Sequence, residues 1–157
     1  MEARKNQTAN DKDGIAGMAC GCVMMRARLI SRVVTSIYDD EFRAFGINSP
    51  QFALLVVMSA MGPASRAEIG RFHHQERSTL TRNLKIMLSE GWIEEISEGT
   101  SGRARPVGLT DSGRKLLATV APAWQNAQER TTALLGTKGT GAITEIADGI
   151  LKVPPTG

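Results

Sequence analysis

The chain lacks most of what would mark it as a metal protein, a membrane protein or an enzyme. It has two cysteines, Cys20 and Cys22, and two histidines, His73 and His74. The thiols have no third or fourth ligand nearby, so a zinc site is not expected. A two-residue offset on a helix turns side chains to nearly opposite faces, so the pair is not set to bridge itself, and inert thiols in a reducing compartment are expected. No apolar run is long enough to span a membrane, and no basic-then-apolar start reads as a signal peptide, which points to the cytoplasm. His73, His74 and Glu76 form the nearest thing to a catalytic group. Adjacent histidines diverge by about 100° on a helix, and no nucleophile motif or phosphate loop accompanies them. The expectation is therefore no enzyme, no cofactor and no metal.

What is present fits one domain. A chain of 157 residues supports one core but not two independent ones. The first stretch, Met1 to Asp13, is polar and charged without apolar periodicity, and is expected to be a disordered arm. The formal charge of +3 is modest, so its distribution carries more than its total. Arg71, Arg77, Arg82 and Lys85 stand close together against the single acid Glu76, while Glu90, Glu94, Glu95 and Glu98 follow immediately.

The segment Ser65 to Thr110 is the most informative. Ser65-Arg66-Ala67-Glu68 has capping-box spacing, and the helix it opens is expected to carry Ala67, Ile69 and Phe72 toward a core. His73-His74-Gln75 breaks the pattern. A second helix is predicted from Glu76 to Glu90, with Gly91 as its C-terminal stop. Leu80, Leu84, Met87 and Leu88 fall on one stripe of it, and Arg77, Ser78, Thr81, Arg82, Lys85 and Ser89 on the opposite stripe. Long cations interleaved with small hydroxyls suit a DNA major groove, although a basic stripe alone also describes an ordinary solvated face. Two short strands follow, around Trp92–Ile96 and Val107–Leu109, joined by a Gly- and Ser-rich loop whose cations are Arg103 and Arg105. An arginine extended from such a tip suits the narrow minor groove. This order reads as a mainly α fold with a small β-hairpin wing, a winged helix-turn-helix.

Helical patterns flank that lobe. From about Gly14 to Ala44, Ile15, Met18, Cys22, Met25, Leu29, Val33 and Ile37 step at three or four residues. Ser49-Pro50 supplies a cap and a first-turn proline for a helix running to about Met61. After Thr110 a long helix is predicted, kinked at Pro122, with a last short helix from Ala142 to Leu151. Long terminal helices cannot bury their apolar stripes within one small domain, so a twofold dimer is expected. Residues 14–46 and 111–157 form the dimerisation helices on this reading, and residues 47–110 the DNA-binding lobe.

The chain resembles the MarR family of bacterial transcriptional regulators from about Cys20 to about Val153. The resemblance rests on Ser49-Pro50-Gln51-Phe52-Ala53-Leu54-Leu55, Arg77 to Leu84, Leu88 with Glu90-Gly91-Trp92-Ile93, and Leu109-Thr110-Asp111-Ser112-Gly113-Arg114. It implies a triangular homodimer on double-stranded DNA at a pseudo-palindromic operator, with Glu76 to Glu90 as recognition helix and Arg103 as wing arginine. It further implies repression released by a small aromatic or phenolic effector held in a cleft, with Tyr38, Phe52, Met58 and Trp124 as candidates. Core packing is the simpler account of those four side chains. Where many members carry Asp followed closely by Arg at the wing, this chain has Ser101 and Gly102. The alternatives are a cysteine-based oxidation sensor of the same fold and, more distantly, a dimerisation module without DNA binding or an enzyme.

Overall fold

The computed structural model describes residues 17, 18, 21–96 and 105–152. The order of elements is α1 (Val23–Phe42), a 3₁₀ turn (Arg43–Phe45), α2 (Ser49–Met61), α3 (Arg66–Phe72), α4 (Arg77–Ser89), β1 (Ile93–Glu95), β2 (Val107–Leu109) and α5 (Asp111–Leu151). Packing divides the chain after Ser36, inside α1. The described part of the first unit is helical apart from Cys22, and Val23, Met24, Met25, Leu29, Ile30 and Val33 are all exposed along it.

The second unit holds the core. Phe42, Leu54, Leu55, Met58, Ile69, Leu84, Met87, Ile93, Val107 and Val120 are fully buried in it. Phe42 sits at its centre, tilted against Phe52 with ring centroids 4.7 Å apart and edge-on to Tyr38 at 5.8 Å. Three polar links tie the C-terminal end of α1 to α5: Tyr38 donates to Gln128 Oε1, and Arg130 pairs with Glu41 at 2.6 Å and with Asp40 at 3.8 Å. Burial pushes the Tyr38 hydroxyl up in pKa. The Thr131 hydroxyl opposes that shift, yet it is buried without a hydrogen bond of good geometry.

Caps and breaks explain the element boundaries. Asn48, not Ser49, caps α2: its side chain accepts from the Gln51 amide, and Gln51 Oε1 accepts from the Asn48 amide at 3.1 Å. Ser49 instead donates from its amide and its hydroxyl to Asp39 Oδ1, both at 2.7 Å, anchoring the start of α2 to α1. The capping box of α3 forms as expected between Ser65 and Glu68. Of the three core residues expected from α3, only Ile69 is buried. Ala67 and Phe72 are exposed; for Ala67 the reason is that 67 and 69 lie about 200° apart on a helix and cannot share a face, whereas Phe72 lies at the last residue of this short helix.

In α5 the break is not at the proline. Helical dihedrals persist across Pro122, which lies on an exposed part of the helix, and fail at Gly136 (φ 71, ψ 157). The helix resumes at Thr137, five residues before the expected start of the last helix. Proline's fixed φ is itself helical, whereas glycine alone adopts a positive φ without strain.

The wing is an antiparallel pair with Ile93 opposite Leu109 and Glu95 opposite Val107. Ala64, just before α3, bridges to Val107 and so fastens the hairpin base to the helix-turn-helix. Among the described residues no single helix is long and apolar enough to cross a membrane.

Candidate nucleic-acid interface

The core side of α4 is built from Leu80, Asn83, Leu84 and Met87, all buried, with Leu88 half-buried. These positions repeat at three and four residues, so the opposite side must face out. Arg77, Ser78, Thr81, Arg82, Lys85 and Ser89 are accordingly all exposed. Glu76, Arg77, Ser78, Thr81, Arg82 and Lys85 line an open groove of about 560 Å³ across this surface. Asn83 has the polarity of a surface residue, and periodicity alone shows that it belongs on the buried stripe.

Both ends of α4 are fixed locally. Glu76 is the N-cap: its carboxylate accepts from the Ser78 and Thr79 amides, each at 3.2 Å, and from the Ser78 hydroxyl. The Ser78 hydroxyl, followed by the two amides, holds the Glu76 carboxyl below its usual pKa. At the other end Gly91 takes φ 69, with its amide on the Leu88 carbonyl and the Trp92 amide on the Met87 carbonyl. That is a Schellman closure, which needs a residue able to enter the left-handed region.

Charge on the exposed face of α4 is uncommitted. Among the described residues, no ion pair or hydrogen bond engages the side chains of Arg77, Arg82 or Lys85. The wing differs. Glu95 accepts from Arg66 at 2.6 Å and lies 3.9 Å from Arg105. One carboxylate thus draws together the first residue of α3 and the root of the wing, so that Arg105 is a partnered cation and not a free one. Arg66 belongs to this cluster and has no local signal in the sequence, because its partner is 29 residues away. Arg103 lies outside the described residues.

The turn between α3 and α4 holds the two histidines. His73 is the C-cap residue of α3, its pKa lowered by burial and then by His74; His74 takes a positive φ of 47. They follow one another around a turn and make no catalytic array. Among the described residues no group of His, Cys, Asp and Glu is arranged to hold a metal ion.

A second depression lies between α2 and α5. Phe52, Val56, Ser59, Ala60, Leu117, Ala121 and Trp124 line about 380 Å³ of mainly apolar space. Two of the four effector-cleft candidates, Phe52 and Trp124, are there. The other two are not: Met58 is 1% exposed inside the core, and Tyr38 is engaged with Phe42 and Gln128. Both point inward on helices whose opposite faces the sequence could not distinguish as cleft or core. Cys22 is a free, half-buried thiol, and Cys20 lies outside the described residues.

The sequence profile of the MarR family matches residues 45–104, from the last residue of the 3₁₀ turn before α2 to beyond β1. An uncharacterised HTH-type transcriptional regulator of Bacillus subtilis, YwoH, is 27% identical over 85 residues, covering 54% of this chain and 61% of that protein. The chain thus matches about three-fifths of that relative's length. The Mycobacterium tuberculosis transcriptional regulator MosR, solved in complex with DNA, is 28% identical and superimposes with a TM-score of 0.68, over 84% of this chain and 99% of that one. A cysteine-to-serine variant of Escherichia coli MarR complexed with operator DNA superimposes with a TM-score of 0.74 at 16% identity, over 86% and 97%. Two short helices with a hairpin base pinned beside them are matched in sequence by the family profile over residues 45–104 and in shape by these regulators: that segment is similar to the MarR family, and the chain has the winged helix-turn-helix fold of these transcriptional regulators.

Proposed function

We propose that the protein is a homodimeric repressor that binds a pseudo-palindromic operator in double-stranded DNA in the cytoplasm and releases it on binding a small aromatic or phenolic effector. The observation that carries DNA binding is the row of unpaired cations Arg77, Arg82 and Lys85 on one exposed face of a doubly capped helix. Cations that are neither paired nor buried are available to phosphates and to guanine edges. Ser78, Thr81 and Ser89 share that face, and Arg103 and Arg105 belong to the wing. MosR and Escherichia coli MarR, both solved on DNA, support the same reading.

Dimerisation through residues 14–46 and 111–157 is supported by apolar side chains that the chain leaves uncovered: Val23, Met25, Leu29 and Val33 in the first unit, and Leu134, Ile143, Ile146 and Ile150 in the second. Two reading heads on one operator then occupy successive major grooves. Replacing Arg82 with alanine is expected to weaken operator binding by about 1–3 kcal/mol if it bonds a base edge, or to lower the salt slope by about one if it meets a phosphate. Fluorescence anisotropy across a salt series separates these outcomes, and no change in either removes Arg82 from the interface.

The effector reading is supported by the apolar depression at Phe52 and Trp124, whose make-up is that of a small-molecule pocket. A tenfold loss of DNA affinity requires a ligand to prefer the DNA-incompetent state by about 1.4 kcal/mol. In band-shift titrations, benzoate- and cinnamate-like acids are expected to release DNA equally from the parent and from a Cys20→Ser, Cys22→Ser variant, with organic hydroperoxide inactive on both. If peroxide releases only the parent and no acid acts, the protein is an oxidation sensor.

A further inference from the structure

The hydroxyls on the exposed face of α4 are not free to donate. Ser78 gives its hydrogen to Glu76 Oε2, Thr81 gives its own to the Arg77 carbonyl at 2.8 Å, and Ser89 bonds the Ile86 carbonyl at 2.7 Å. A hydroxyl has one hydrogen, so each of these oxygens turns only lone pairs to the groove. Glu76, exposed at the same end of the groove, adds a carboxylate that accepts and never donates while ionised. The N-terminal part of the groove floor therefore combines Arg77 with acceptors alone, and the donors toward its other end are Arg82 and Lys85.

Arg77 aside, the acceptor atoms of this patch are repelled by phosphate oxygens and by the acceptors that guanine and thymine present in the major groove. Two groups there donate: the adenine N6 amino group and the cytosine N4 amino group. The adenine amino group is flanked on both sides by acceptors, its own N7 and the paired thymine O4, which oppose a second lone pair, whereas the cytosine amino group has an acceptor, the paired guanine O6, on one side only. Glutamate is also outside the short side chains that helix N-caps prefer. Its extra methylene relative to aspartate carries the carboxylate outward while the cap bonds to Ser78 and Thr79 are kept.

We infer that Glu76, together with the Ser78 and Thr81 oxygens, reads the N4 amino group of a cytosine in each operator half-site. The inference rests on α4 being the DNA-reading helix. It divides the face into an acceptor end that specifies a base and a cationic end that holds phosphate or guanine. Hydrogen bonds from Ser78 and Thr79 fix the carboxylate's direction before DNA arrives, which lowers the ordering cost of reading a base.

The test is selection from a randomised DNA pool with the full chain, followed by competition anisotropy on singly substituted sites. The parent is expected to require cytosine at one position per half-site, with any other base there binding about fivefold or more weakly. In Glu76→Gln that position is expected to move to adenine, since a carboxamide supplies an acceptor for N6 and a donor for N7, while all other positions stay unchanged. Glu76→Asp keeps a good N-cap but withdraws the carboxylate, and is expected to lose the preference without losing helix content or melting temperature. If parent and Glu76→Gln select the same base at every position, Glu76 reads none and the inference is overturned while DNA binding stands. A folded, dimeric parent that enriches no sequence overturns both.

Discussion

Alanine at Gly113 is expected to destabilise the whole DNA-binding lobe by about 3 kcal/mol or more, at the upper end of what overpacking costs. A Cβ at this position would lie 2.1 Å from the Trp92 carbonyl oxygen and 3.1 Å from its carbon. The obstacle is backbone, not the end of a flexible side chain, so the contact can be relieved only by moving α5 away from the turn that follows α4. That turn is held firmly. The Thr110 amide donates to Trp92 O at 3.1 Å, the Thr110 hydroxyl donates to Gly91 O at 2.7 Å, and the same hydroxyl oxygen caps α5 by accepting from the Gly113 amide. Urea denaturation followed by circular dichroism checks the outcome: a midpoint within error of the parent would mean the joint is looser than its hydrogen bonds imply. Because the joint links α4, the proposed recognition helix, to α5, the proposed dimer helix, a folded remnant of the variant is also expected to bind operator more weakly.

Ending the chain at Gly136 is expected to convert a dimer into monomer or aggregate and to reduce operator affinity by about a hundredfold or more, the usual gain from engaging two linked sites. The segment removed begins where α5 loses helical dihedrals, and it carries Ile143, Ile146 and Ile150 at three- and four-residue spacing, each at least 40% exposed. Such a stripe needs a partner surface to be buried against. The core residues Val120, Ala123 and Ala127 all precede the cut, so the lobe itself retains its packing. Static light scattering distinguishes the cases. A truncated chain that stays a soluble dimer, with undiminished operator binding, would place the interface elsewhere.

What the sequence determined alone was local. The capping box at Ser65 and Glu68, the left-handed stop at Gly91 and the two faces of α4 each depend on residues within a turn or two of one another, where spacing specifies geometry. The exposed stripe from Arg77 to Ser89 follows directly from the burial of Leu80, Leu84 and Met87, and so was legible before any fold was known. Asn83, polar but at the spacing of the core, was assigned to neither stripe, and Ser49 resembles a cap while Asn48 performs the capping.

Contacts between distant segments were settled only by tertiary structure. Met58 and Phe52 sit on the same apolar helix, and only the packing of α5 and the core around it encloses one and leaves the other beside a groove. Glu95 could not be matched to Arg66, and Gly113 carries no sign of the carbonyl pressed against it. In α5 the sequence reading placed the break at Pro122, and the structure places it at Gly136, the residue that leaves helical geometry. Periodicity records which side of an element is apolar. Which partner covers that side, and how closely its backbone approaches, is fixed only when elements far apart in the chain compete for the same space.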